Sequence, residues 1–132
     1  MTLAELSFTL LNVFESVRLK SYKDVAGIWT IGYGHTGPDV KEGQFITLQE
    51  AQVFFETDTK HLFDMVKGLP LMKAAAYVSF GYNCGAGALH RVLNGQAKLL
   101  DFTKAGKPLV EYPGLVARRK LEQAFIDLSG TL

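Results

Sequence analysis

Between residues 27 and 43 the chain carries glycines at 27, 32, 34, 37 and 43, interleaved with the β-formers Ile28-Trp29-Thr30-Ile31, while both flanks are patterned for helix. This is the feature that most restricts the fold. Glycines at that density in a β-rich stretch mark tight turns and close backbone approach, so residues 18–46 are read as a hairpin or a small three-stranded antiparallel sheet. Upstream, Thr2-Leu3-Ala4-Glu5 has the form of a capping box, and Leu3, Leu6, Leu10, Val13, Phe14 and Val17 follow at helical spacing, predicting a helix that ends near residue 17. Downstream, Thr47-Leu48-Gln49-Glu50 repeats the capping signal. It opens a helix with Leu48, Ala51, Phe55, Leu62, Met65 and Val66 on its apolar side, stopping at Gly68. Further helices are predicted over Leu71–Asn83, about Ala88–Leu93 and Lys98–Lys104. After Pro113-Gly114 a last helix carries Leu121, Ala124, Phe125 and Leu128 on one face. The element order gives an α+β fold with its strands segregated near the N-terminus.

Within the glycine-rich stretch, Gly32-Tyr33-Gly34-His35-Thr36-Gly37 is a literal GxGxxG. A dinucleotide fingerprint requires a strand before it and a helix N-terminus immediately after it. Here Pro38 follows the last glycine and the next helix start is Thr47, so the glycines are assigned to the sheet and not to a phosphate. Composition agrees. With 14 Lys and Arg against 13 Asp and Glu, the net charge of +1 lacks the clustered basic excess of a nucleic-acid binder. Arg118-Arg119-Lys120 reads as a solvated helix face. His35, His61 and His90 are too scattered to form a metal set with the lone Cys84, which is read as a small buried thiol; no metal and no cofactor is expected. The N-terminal run Leu3–Phe14 is too short and too polar to span a bilayer and lacks the marks of an export signal.

The chemistry-bearing residues lie at the edge of the predicted sheet, in the context FESVRLKSYKDVAGIWTIGYGHT. Glu15 follows an apolar helical turn, where partial desolvation would favour a general-acid role. Asp24 stands at the entry to the sheet. An acid and a separate carboxylate facing one substrate are what glycosidic cleavage requires. Taken alone, a Glu at a helix end and an Asp in a loop are usually capping or solvated residues.

The segment Glu15, eight residues, Asp24, five residues, Thr30, continuing into Ile31-Gly32-Tyr33-Gly34-His35-Thr36, resembles the catalytic signature of the phage-type lysozymes, the endolysins that cleave bacterial peptidoglycan. Three further blocks agree in order: Gly43–Glu50, Val78–Ala88 and Pro113–Glu122, so the resemblance runs from residue 8 to about 126. It implies a lysozyme-like single domain over residues 1–132. A sheet lobe of about 18–46 and a helical lobe of about 47–132, packed with helix 2–17, would have the sugar cleft between them. It implies Glu15 as general acid, Asp24 as the carboxylate that activates water and Thr30 as the hydroxyl that helps hold it, with inversion at the sugar. Tyr33 and Trp29 are candidate cleft residues, and Arg118 or Arg119 a candidate partner for Glu15. His35 is a candidate electrostatic or binding residue, with ordering of the hairpin as the favoured role. The implied partner is peptidoglycan glycan, bound by a monomer that accumulates in the host cytoplasm and passes a membrane opened by another protein. A catalytically weak or inactive module that binds wall glycan or a protein partner, and a transglycosylase, are the competing readings. The stretch between Ala88 and Pro113 departs from the family pattern, lacking a full helix and a tryptophan-containing segment.

Overall fold

The computed structural model describes residues 1–24 and 26–129; Val25 and residues 130–132, included in the expected 1–132 domain, lie outside the described set. In chain order it contains α1 (Leu3–Phe14), β1 (Arg18–Lys23), β2 (Trp29–Gly32), β3 (His35–Thr36), α2 (Leu48–Met65), α3 (Leu71–Cys84) and α4 (Ala86–Leu93). A single 3₁₀ turn (Leu99–Asp101) follows, then β4 (Lys104–Ala105), β5 (Val110–Glu111) and α5 (Pro113–Leu128). The backbone groups into two compact units, residues 12–60 and residues 1–11 with 61–132.

Both predicted capping boxes form. Thr2 N–H donates to Glu5 Oε2 at 2.9 Å and Glu5 N–H to Thr2 Oγ1 at 3.1 Å; Thr47 and Glu50 exchange the same bonds at 3.2 and 3.1 Å. Each box satisfies two amides that a helix start leaves without intrahelical acceptors. α1 stops at Phe14, earlier than its apolar periodicity suggests, because strand pairing begins at Arg18.

In the unit 12–60, β1, β2 and β3 form a three-stranded antiparallel sheet in sequence order. Its core is Ile31, Tyr33, Val40, Ile46, Ala51 and Phe55, all buried. The hairpin lies against the start of α2 at Gly32, where an added Cβ would make ordinary contact with Ala51 Cβ at 3.5 Å and Ile46 Cδ1 at 3.6 Å, so it is the positive φ of +69° that calls for glycine. The GxGxxG thus spans the β2–β3 connection, and the next helix begins only at Leu48. Leu48, expected on the apolar side of α2, is exposed, since it occupies the first turn beside the cap.

The other unit is built on α3, whose Ala74, Ala75, Ala76, Val78 and Phe80 are buried. Leu62, Val66, Ala74, Val78, Phe80, Leu89 and Leu99 make one apolar cluster. Gly81 is the closest point of approach: a Cβ would come within 2.9 Å of Leu62 Cδ2 and of Leu89 Cδ2. Two expectations fail here. Lys98–Lys104 is not a helix but a 3₁₀ turn running into the exposed β4–β5 ribbon, a second sheet where none was predicted. Gly106 at φ +87° and the following Pro108 make the ribbon's turn and interrupt any helical continuation. In α5 the buried residues are Arg118, Arg119 and Glu122, whereas Leu128 is exposed and Leu121, Ala124 and Phe125 are half-buried. The inward face of this helix is ionic, so Arg118 and Arg119 are not the solvated charges their sequence run suggests.

Candidate active site

Glu15, Asp24 and Thr30 all belong to the unit 12–60. Glu15 is the first residue beyond α1 and is half-buried. Asp24 follows β1 at a tight turn, where its Oδ1 accepts the N–H groups of Ala26 at 2.8 Å and Ile28 at 2.9 Å. Its own N–H donates to Ile28 O at 3.0 Å and its carbonyl accepts Gly27 N–H at 2.9 Å. Gly27 sits at φ +78°, a backbone region that side-chain-bearing residues enter only at a cost. Aspartate suits this place because its short carboxylate reaches amides two and four residues onward, as in an Asx turn.

Thr30 is 4% exposed, and its hydroxyl donates to Ile28 O at 2.9 Å. The main chain of Ile28 therefore joins the two groups: its N–H holds the Asp24 carboxylate and its carbonyl takes both the Asp24 N–H and the Thr30 hydroxyl proton. With that proton committed, Thr30 Oγ1 can only accept from a neighbouring molecule. Among the described residues, Asp24 Oδ2 takes no hydrogen bond.

The other candidates occupy different settings. Tyr33 is 3% exposed, with its ring edge-on to Phe55 at 6.4 Å between centroids, so it is a core residue and not a sugar platform. Trp29 pairs with Lys23, whose ammonium lies 5.3 Å above the indole. Strand alternation puts this pair on the opposite face of the sheet from Thr30. His35 is held from both sides: Nδ1 is 2.7 Å from Asp58 Oδ2, Nε2 is 2.9 Å from Asp39 Oδ2, and the ring stacks on Phe54 at 4.1 Å. Burial alone lowers the pKa of this imidazole. The hydrogen bonds and charges of Asp58 and Asp39 outweigh it, and the net shift is upward. A neutral imidazole has one N–H, so both contacts are satisfied only by the imidazolium. His35 orders the hairpin, and its nitrogens are occupied.

Arg118 and Arg119 lie in the other unit. Arg119 is fully buried: its Nε is 2.7 Å from Glu122 Oε1, Nη2 donates to Glu122 Oε2 at 3.2 Å, Nη1 contacts Cys84 Sγ at 2.6 Å, and the guanidinium lies 4.9 Å over Phe80. Its expected contact with substrate or with Glu15 is thereby corrected, because the side chain is consumed by its own core. Arg118, 4% exposed, donates to Ser79 O at 3.0 Å and to Glu122 Oε2 at 3.3 Å. Ser79 Oγ completes the cluster at 2.5 Å from Glu122 Oε2. Burial pushes the Glu122 carboxyl upward against the opposing pull of Arg119, Ser79 and Arg118. The Cys84 thiol is half-buried rather than buried, and burial raises its pKa against the pull of Arg119. Sequence reasoning missed Glu122; the i, i+3 and i, i+4 spacing of Arg119 and Arg118 to it was the available signal. Among the described residues no group of three or more His, Cys, Asp or Glu could hold a metal ion.

A backbone-clamped Asp24 carboxylate, a Thr30 hydroxyl whose proton is committed to the same Ile28 peptide and a half-buried Glu15 all belong to the one small unit. The family model "Phage lysozyme" matches residues 12–122, and the chain belongs to that family. It is 34% identical over 152 residues to an endolysin of Bacillus phage PZA, covering 99% of this chain and 57% of that protein. It is also 34% identical over 125 residues to a SAR-endolysin of bacteriophage PS119, covering 83% and 74%. Among solved structures, an endolysin from Escherichia coli O157:H7 phage FAHEc1 superposes with a TM-score of 0.79 at 28% identity, covering 96% of this chain and 93% of that one. The fold is lysozyme-like α+β, with small antiparallel sheets and five α-helices among the described residues.

Proposed function

We propose that this chain is an endolysin-type lysozyme that hydrolyses the β-1,4 bond between N-acetylmuramic acid and N-acetylglucosamine in bacterial peptidoglycan. The observation that carries the reading is the Ile28 junction, which fixes Asp24 and Thr30 together in a member of the phage lysozyme family. A water donating one hydrogen to Asp24 Oδ2 and the other to Thr30 Oγ1 has its lone pair left for the anomeric carbon. Glu15 gives its proton to the departing glycosidic oxygen while Asp24 takes one from the attacking water. The C–O bond breaks as a new one forms on the opposite face, with inversion. No cofactor enters this scheme. The helical unit, with Arg118, is assigned to the same single-domain enzyme, acting as a monomer on glycan strands. The enzyme is assigned to the host cytoplasm before release, and its passage to the wall to a membrane opened by a separate permeabilising protein.

The test is release of reducing ends from purified peptidoglycan. Glu15→Gln is expected to lower the rate at least about a thousandfold with an unchanged thermal midpoint, and Asp24→Asn by a comparable factor. Full activity in Glu15→Gln removes the assigned acid. Proton NMR of the first-formed product reads the stereochemistry: an α reducing end supports inversion, and a β reducing end replaces it with a covalent intermediate.

A further inference from the structure

Strand register sorts the sheet into two faces. Tyr22 pairs with Thr30 and Thr30 with Thr36, so these three side chains form one row on one face. Lys23 with Trp29, and Ile31 with His35, lie on the other face, the one carrying His35 onto Asp58 of α2. Tyr22, and neither of the cleft candidates Trp29 and Tyr33, is thus the cross-strand aromatic neighbour of Thr30.

Arg18 lies on the Tyr22 side. Its guanidinium carbon is 4.2 Å from the centre of the Tyr22 ring. Among the described residues no carboxylate pairs with Arg18, and the Tyr22 hydroxyl and the Thr36 hydroxyl have no hydrogen-bond partner. In the same unit His35 engages two acids, and in the other unit every guanidinium nitrogen contact of Arg119 goes to its own core. Arg18 is a cation held over an aromatic ring one strand away from Thr30, and among the described residues its five N–H donors are left unspent.

A glycan backbone of acetamido sugars is neutral; the acidic groups of peptidoglycan hang from the lactyl ether of the muramic acid. We propose that Arg18, seated on Tyr22, is a specificity-determining residue that takes a carboxylate carried on the lactyl arm of N-acetylmuramic acid. This rests on the lysozyme reading given above. A guanidinium presents a planar fork that matches a carboxylate in two parallel hydrogen bonds, and stacking on Tyr22 limits the rotamer freedom lost on binding. The pair orients the muramic acid; it takes no part in proton transfer.

The test uses soluble glycan fragments in three forms: with intact peptide stems, stripped by an amidase so that only the lactyl carboxylate remains, and with all carboxyl groups converted to neutral amides by carbodiimide coupling. Arg18→Gln is expected to raise KM about tenfold on the intact form, with kcat changed less than twofold and no KM change on the amidated form. The stripped form reports which carboxylate is read: the lactyl carboxyl is amide-bonded to the stem in the intact form and free only here, so an effect kept on both forms means that Arg18 takes whichever carboxylate the arm ends in, and its loss on the stripped form assigns a stem carboxylate. Arg18→Lys is expected to recover part of the effect, and Tyr22→Leu to reproduce a smaller one, with thermal midpoints confirming folding. An equal change on intact and amidated glycan, or none on either, overturns the proposal. If the parent protein releases no reducing ends at all, the lysozyme reading fails instead. Fluorescence anisotropy of labelled intact and amidated fragments on Glu15→Gln then decides by the same ratio whether Arg18 discriminates.

Discussion

The two units solve the problem of polar groups differently. In the unit 12–60, polar side chains are tied to main-chain amides and to partly exposed neighbours: Asp24 to the amides of Ala26 and Ile28, His35 to Asp39 and Asp58. In the other unit, Glu122, Arg119, Arg118 and Ser79 are sealed together, all with 4% exposure or less. An open arrangement leaves lone pairs turned outward for a substrate; a sealed one leaves none and serves packing. Chemistry and stability are therefore expected to separate between the units on mutation.

Removing Glu122 is the harshest way to break that contrast. Glu122→Gln leaves Arg119 without its buried counter-charge and is expected to cost about 3–5 kcal/mol, read by denaturant unfolding. A cost below about 1 kcal/mol would mean the cluster is not sealed.

Next in size is His35. Its folded-state pKa is raised by Asp58 and Asp39, so its stabilisation is fully present below the unfolded value of about 6.5 and is lost as pH rises through the folded pKa. Asp58→Asn is expected to remove about 1.5–3 kcal/mol at low pH and progressively less at high pH. A destabilisation independent of pH would show that His35 is held by its stack on Phe54 rather than by charge.

Glycine substitutions sharpen the contrast. Gly81→Ala forces a methyl to within 2.9 Å of two leucine methyls and is expected to cost about 1–3 kcal/mol, less the helix propensity that alanine restores. Gly27→Ala meets no atom within 4 Å, and its cost of about 1–2 kcal/mol comes from φ alone. Gly27→Ala is also expected to slow reducing-end release, because the turn it strains holds Asp24; Gly81→Ala is expected to leave the rate per folded molecule unchanged.

The smallest effect is the one shared by both units. Thr2→Ala and Thr47→Ala each remove one side-chain acceptor of a capping box and are expected to cost about 1 kcal/mol. A large disparity between them would show that one helix start also depends on tertiary contacts.

These differences explain what was legible in the sequence. The capping boxes, the sheet and the helices over 48–65 and 71–84 follow from local rules: side chain to nearby amide, glycine to turn, periodicity to face. Asp24 and Thr30 were found through a motif whose bonds run only two to four residues along the chain. What escaped depends on contacts distant in sequence. Glu122 meets Ser79 across 43 residues, and Arg119 meets Cys84 across 35, so neither periodicity nor charge pattern marks α5 as ionic inside. The β4–β5 ribbon escaped for another reason: its strands are two residues each, shorter than any pattern can resolve. Tyr22 was passed over because the face on which an aromatic lands depends on register, and β1 carries an irregularity between Arg18 and Tyr22.

Ile28 serves the site through its peptide group alone, while its side chain is 50% exposed. The identity of residue 28 is consequently uncoupled from the hydrogen bonds it supplies, and any amino acid retaining an amide hydrogen would preserve them. A small fluorophore attached through a cysteine at this position would sit a few bonds from Asp24 and Thr30 without replacing either, a vantage point for testing whether glycan arrives there.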